Sequence, residues 1–414
     1  MDPRIGIIMA RFTYQTVTSG LQKRPESASW QRLAVTLAGC GGVPANGPIA
    51  HDLDVYAVLT GGTERKLADL WLSRPDRNAP VLLVAHPEDN SLPAALEALA
   101  WWQQQGNRGQ IVFMAGDEDQ ASLESALEDL EAWHTLRRSR IGVAGVSDWL
   151  IASSPDPSDV RRVWGPEVVT LDLAPAIRSY AMVGADGGLA LSESVERGAL
   201  ETVEPTSMGI RHAADVLPSL VGMMEGQHLD AVTVRCFDLL EALGTSGCLA
   251  LAELNDRGVV AGCEGDVPST LGMLWARALI GTTSWMANPA RVDTATNSLL
   301  VAHCTIARSM VSSYTLRSHF ESGIGVAIAG RMPAGDYTML RIGGRRLESL
   351  WLAEGVATDR SAEEGLCRTQ LELLLDRGSV DELLMRPLGN HVVVLRGRQA
   401  DRLHKWWQTF VAAP

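Results

Sequence analysis

The sequence predicts an α/β protein in which two units with parallel sheets precede a unit of antiparallel strands. Three observations carry this reading. Over the first third of the chain, short apolar runs alternate with amphipathic helical stretches, the pattern of a doubly wound parallel sheet. The opening Arg4-Ile5-Gly6-Ile7 returns as Arg140-Ile141-Gly142-Val143, which marks the start of a second unit. From about Thr283 onward, turn signals rather than helices separate the apolar runs.

In the first unit, strands are expected at Ile5–Ala10, Asp54–Thr60, Pro80–Ala85 and Gln110–Ala115. Ser91 suits the N-cap and Pro93 the first turn of a helix that follows the third strand. Asp119–Arg138 reads as a long helix, acidic early and basic late, which complements its dipole. In the second unit, strands are expected at Arg140–Gly145, Glu167–Leu173, Asp230–Arg235 and Gly258–Cys263. In the third, Leu299–Ala302, Tyr337–Ile342 and His391–Leu395 read as strands. Turn signals at Ala334-Gly335-Asp336, Gly343-Gly344 and Gly389-Asn390 separate them, which fits a β-barrel or a sandwich. An amphipathic helix closes the chain near Asp401–Phe410. The expected domains are 1–138, 139–280 and 281–414.

Composition narrows the function. The 414 residues contain 36 Lys+Arg against 49 Asp+Glu, a net charge of −13. An acidic balance speaks against nucleic acid as a partner, because phosphate binding needs a basic footprint. No run approaches the roughly 18 apolar residues of a membrane span, so no membrane partner is expected. The N-terminal apolar run is short and has no cleavage pattern behind it. The six scattered cysteines lack CxxC or zinc-type spacing, and with the missing leader they point to a cytoplasmic protein. Neither a phosphate loop, a GxSxG elbow, an HExxH helix nor the GxGxxG fingerprint is present. A nucleotide-dependent oxidoreductase is therefore disfavoured.

The informative stretch runs from Arg235 to Thr305. Glu264 ends an apolar strand and precedes a helix that begins near Pro268. Ligands of open α/β sheets bind at such strand ends. His303 ends another apolar run, and Gly389-Asn390-His391 supplies a second imidazole and an amide. Two imidazoles, a carboxylate and an amide oxygen suit manganese, cobalt, iron or zinc better than calcium. Taken singly, each has a structural reading as well: a capping acid, a core histidine, a polar turn.

These residues resemble the L-fucose isomerase/L-arabinose isomerase superfamily. The resemblance covers most of the chain. It is carried by Thr60-Gly61-Gly62-Thr63-Glu64, Arg140-Ile141-Gly142, Cys263-Glu264-Gly265-Asp266, Ala302-His303-Cys304, Tyr337-Thr338-Met339-Leu340-Arg341 and Gly389-Asn390-His391. It is nearest to a shorter, fucose-isomerase-like branch. It implies two Rossmann-like parallel-sheet domains followed by a C-terminal antiparallel β-barrel domain, assembled as a homo-oligomer, a trimer or hexamer. It also implies aldose–ketose isomerisation of an open-chain sugar through a cis-enediol, aided by a divalent metal. Mn2+ is the expected ion, with Co2+, Mg2+, Fe2+ and Zn2+ as alternatives. The metal ligands would be Glu264, Asn288, His303 and His391. Asn288 departs from the family, which often has an acid there, so Glu264 would be ligand and principal base. Asp266 or Asp293 would be an auxiliary acid, although Asp266 also suits a helix cap.

His86, Asn90, Ser91, Trp149, Arg235 and Trp285 are the candidate sugar-binding residues, since they lie at loops or strand ends. His319, in Ser318-His319-Phe320-Glu321, is a candidate to support the site from behind or to serve structure alone. The alternative reading is a sugar-binding or regulatory protein that kept the fold and lost the chemistry, and Asn288 is the feature that favours it.

Overall fold

The computed structural model describes residues 12–19, 28–45, 55–116 and 119–412. The expected strand at Ile5–Ala10 lies outside them. The described chain divides into two compact units, one containing the residues up to His134 together with those from Lys405, the other Thr135–His404.

In the first unit, five parallel strands form one sheet. They are β1 (Phe12–Val17), β2 (Gly42–Pro44), β3 (Val55–Val58), β4 (Val81–Ala85) and β5 (Gly109–Phe113), in the order β2-β1-β3-β4-β5. Every residue of β4 is buried, which is why Val-Leu-Leu-Val-Ala reads as an unbroken apolar run with no alternation. The helix Ser91–Gln104 lays Ala94, Ala95, Ala98 and Trp102 into the core beside Tyr56 and Leu83. Trp406, on the helix Ala400–Phe410, donates its indole N–H to the Asp129 carbonyl at 2.9 Å.

The second unit contains two sheets. Four parallel strands, β6 (Arg140–Ala144), β7 (Glu167–Leu171), β8 (Ala231–Val234) and β9 (Val260–Cys263), are ordered β7-β6-β8-β9. The remaining strands are β10 (Trp285–Asp293), β11 (Ser298–His303), β12 (Ser313–Arg317), β13 (Ala327–Arg331), β14 (Asp336–Gly343), β15 (Ser349–Ala357), β16 (Thr369–Arg377) and β17 (Val392–Arg396). Six of them run antiparallel in the order β11-β10-β17-β14-β15-β16, and β11 pairs back onto β16. The sheet is thus a closed barrel, not a sandwich, and closure leaves no open edge among these six strands. The hairpin β12–β13 extends it beside β16.

The helix Val267–Ile280 joins the parallel sheet to the barrel. It is capped by Asp266 and has Pro268 in its first turn. A β-carbon on Gly272 would sit 2.9 Å from Leu340 and 3.2 Å from Val393, so the glycine is what lets β14 and β17 approach the helix. No helix among the described residues is long and apolar enough to cross a membrane.

Candidate metal and sugar site

The connection from β9 to its helix is three residues long, the last being the cap Asp266. Glu264 and Gly265 both take the left-handed conformation, with φ of 59° and 74°. For a glutamate this is a strained backbone, of the kind that persists where the surroundings enforce it. Ser147, in the loop after β6, donates its hydroxyl to the Glu264 carbonyl and helps hold the turn. The Glu264 side chain is thereby presented at the carboxyl end of the sheet.

Two imidazoles meet it. His303 is the last residue of β11, and His391 immediately precedes β17. Their Nε2 atoms lie 3.7 and 3.5 Å from Glu264 Oε1, and the ring centroids are 5.5 Å apart. One donor atom from each of Glu264, His303 and His391 falls within 4.8 Å of the others. His391 is fully buried, and its Nε2 has no hydrogen-bond partner. An orphaned buried nitrogen facing a carboxylate and a second imidazole fits a divalent cation, as does the mixed N/O donor set.

Behind the cluster, His391 Nδ1 lies 2.9 Å from Asp266 Oδ2. An ionised carboxylate only accepts, so Nδ1 carries a proton and Nε2 is directed at the site. Asp266 is completely buried. It also accepts from the Ser269 amide at 2.7 Å and from the Arg341 guanidinium at 2.9 and 3.2 Å. Arg341, 1% exposed, further donates to Ser269 Oγ, to Ser153 Oγ and to the Leu388 carbonyl. Burial raises the Asp266 carboxyl, but Arg341 and His391 outweigh it and hold it near 2. Burial likewise lowers His391, and the two carboxylates reverse that, raising it to about 9. For Glu264, burial is again the largest influence, and the two imidazoles of His303 and His391 beside it overcome it, leaving the carboxyl well below its usual range.

At the rim, the Trp149 indole N–H points at Glu264 Oε2 from 3.5 Å. The Arg235 guanidinium lies 4.7 Å from the Trp149 ring centroid and contacts Asp148 at 3.1 Å and Asp238 at 3.3 Å. Phe237 meets Trp149 edge to face, with centroids 5.5 Å apart.

The structure brings Glu264, His303, His391, Asp266 and Trp149 together, with Arg235 against Trp149. Asn288 is half-buried in β10 opposite Ala302, the neighbour of His303, and makes no hydrogen bond to Glu264 or to either histidine. Trp285 is buried at the start of β10. Asp293 is spent on a turn, accepting from the amides of Ala295 and Thr296. His86, Asn90 and Ser91 belong to the first unit. There His86 Nε2 meets the Leu59 carbonyl at 3.0 Å, Ser91 Oγ bonds the Val58 carbonyl and the His86 amide, and Asn90 lines an open cleft of about 420 Å3. Arg341 was not among the expected site residues. The signal that could have found it is an arginine standing alone inside the apolar run Tyr337–Ile342.

No family model matches the chain. It is 22% identical over 250 residues to proteins named sulfoquinovose isomerase from Priestia aryabhattai and Priestia megaterium, covering 56% of this chain and 54% of each relative. A sulfoquinovose isomerase from a Clostridium species is 33% identical over 121 residues, 28% of this chain and 27% of the relative. The chain thus spans about half the length of the Priestia proteins it matches, and it is similar to sugar isomerases over that part.

Proposed function

We propose that this protein is an aldose–ketose isomerase that works on an open-chain sugar with a divalent metal held by Glu264, His303 and His391. The observation that carries the reading is the convergence of these three side chains around the unpartnered Nε2 of His391. The similarity to sulfoquinovose isomerases supports it and makes sulfoquinovose the first sugar to test. Mn2+ is the ion of first choice for the donor set, and Asn288 would add its carbonyl oxygen.

The roles of the residues follow from their surroundings. A divalent cation bound at the cluster supplies Lewis-acid polarisation of the sugar carbonyl and the adjacent hydroxyl. Glu264 is the base. It takes the proton from the hydroxyl-bearing carbon beside the carbonyl, and the electron pair left behind forms the cis-enediol. Returning that proton to the neighbouring carbon, while the hydroxyl proton passes from the adjacent oxygen to the former carbonyl oxygen, completes the exchange of aldose and ketose. His391, fixed by Asp266, keeps its Nε2 turned to the cluster. Trp149 and Arg235 flank Glu264 and receive the sugar. Asp266 acts through His391, since its buried carboxylate has no path to substrate.

The test is deuterium exchange followed by NMR. The protein is incubated in D2O with sulfoquinovose and a panel of unsubstituted aldoses, with and without Mn2+, while ketose formation is measured in parallel. Metal-dependent label at C1 or C2, or ketose formation, is the expected result, and Glu264→Gln should abolish it. Sugar binding without exchange or ketose would instead favour a binding protein, the reading to which Asn288, in place of an acid, lends its weight.

A further inference from the structure

A third imidazole is linked to the cluster through Phe237 and Trp149 and has no part in the mechanism above. His319 follows β12, is 6% exposed, and sits in a tight loop closed by two backbone bonds, His319 N–H to Ile324 O and Gly323 N–H to His319 O. Its Nδ1 receives the Ser322 amide at 3.4 Å and lies 2.9 Å from Ser322 Oγ. Ser322 Oγ itself accepts from the Ile324 amide, so its own hydrogen is free to point at Nδ1. A backbone N–H can only donate. Nδ1 is therefore an acceptor, and the proton of the neutral ring belongs on Nε2. Burial, aided by His303 and Arg368, lowers the ring to about 4, so it is neutral at pH 7. Its Nε2 makes no hydrogen bond to any described residue.

The ring also completes an arc. His319 meets Phe237 at 6.2 Å and 77°, Phe237 meets Trp149 at 5.5 Å and 83°, and the Trp149 N–H points at Glu264. Three flat side chains therefore lead away from the proposed base, and the last of them ends in a free donor.

We propose that His319 is a sugar-binding residue whose Nε2–H donates to an oxygen of the substrate remote from the reacting carbons, while Trp149 and Phe237 face the sugar's apolar surface. The inference rests on the isomerase reading given above. A donor that acts away from the reacting carbons contributes equally before and during the reaction, so its loss raises KM and leaves kcat alone. One neutral hydrogen bond corresponds to roughly a three- to tenfold change.

The experiment uses the full chain with Mn2+ and sulfoquinovose. His319→Phe should raise KM about three- to tenfold with kcat unchanged. His319→Gln, whose amide nitrogen reaches the position of Nε2, should recover most of the loss; a merely structural histidine would show neither the KM-only effect nor the rescue. Nitrogen-15 NMR of the histidine-labelled protein should show the His319 proton on Nε2, and this readout stands even where His319→Phe fails to fold. An unchanged KM in a folded His319→Phe, or a proton on Nδ1, overturns the inference and leaves the isomerase reading intact. Absence of both turnover and binding by the unaltered protein with sulfoquinovose and with every aldose of the panel overturns the two together.

Discussion

Replacing Arg341 with methionine isolates the buried ion pair behind the candidate site. Arg341 and Asp266 are 1% and 0% exposed, with a shortest N–O separation of 2.9 Å. At that distance and an effective dielectric of about 20, their attraction is about 6 kcal/mol. Most of it offsets the loss of hydration, so the pair as a whole contributes little net stability. Removing one partner is different, because the other stays buried and uncompensated. The expected loss is about 3–5 kcal/mol for Arg341→Met. Adding Asp266→Asn in the same chain removes the stranded charge, so the double variant should be more stable than Arg341→Met alone. The Asn also keeps an oxygen to cap Ser269. Urea unfolding should be read for two transitions, since the described chain has two compact units. The shift belongs to the one that carries the barrel, which hydrogen exchange in Asp336–Gly343 and Val267–Ile280 identifies. A loss below about 1 kcal/mol, or a double variant no more stable than Arg341→Met, would refute the argument that Arg341 neutralises a buried carboxylate.

Other outcomes follow from the same geometry. Gly389 has φ of 145°, and a β-carbon there would meet the Arg341 guanidinium at 2.1 Å, so Gly389→Ala should destabilise by about 1–3 kcal/mol and weaken Mn2+ binding by displacing the support of His391; calorimetry reads both. His391→Ala and His303→Ala should each lower Mn2+ affinity at least tenfold, while Asp293→Ala should leave it unchanged, and titration calorimetry on the three decides whether the cluster holds the ion. In the metal-free protein, Asp266 is held near 2, so the stability it contributes is complete above about 4 and is lost as pH falls toward 2. His391 is raised to about 9, so its contribution is complete below about 6.5 and is lost as pH rises through 9. Each amounts to about 2–3 kcal/mol, and they are two ends of one interaction. His319, lowered to about 4, adds stability as pH rises from about 4 to 6.5, so the melting temperature should climb from acid pH to a maximum near pH 6.5–7 and fall as His391 loses its proton; a metal-free protein still gaining stability at pH 9 would contradict this.

The parallel sheets were legible because buried strands are unbroken apolar runs. Pro80–Ala85 and Arg140–Gly145 differ from β4 and β6 by one residue at an end. The barrel was legible only in part. Strands β10, β15 and β16 were passed over, although β16 alternates buried and more exposed residues along most of its length, a period-2 signal visible in Thr-Gln-Leu-Glu-Leu-Leu-Leu-Asp-Arg. Turn residues alone could not separate barrel from sandwich, because that choice depends on β11 pairing with β16 across about seventy positions. Glu264, His303 and His391 were found as strand-end residues. Asp266 was expected as an auxiliary acid or as a cap; it caps the helix and is fully buried, and its ion pair with Arg341 spans 75 positions, which nothing local announces. Ser91 showed the opposite limit. Expected as the cap, it is instead the first helical residue after Asn90, and a serine at a helix start looks the same whether it awaits a ligand or bonds the Val58 carbonyl.

The seam that shuts the barrel also sets when the site can exist. His303 stands at the end of β11 in register with Thr369, and His391 reaches Asp266 across 125 positions. On the ribosome, a nascent chain that has only just released Glu264 holds one of three ligands and none of the barrel. It must extend past β17 and join β11 to β16 before an ion finds its full coordination. Such long-range pairings form slowly and late. Metal capture on this reading is a completion event, confined to chains that have already folded, and half-made protein competes poorly for the ion.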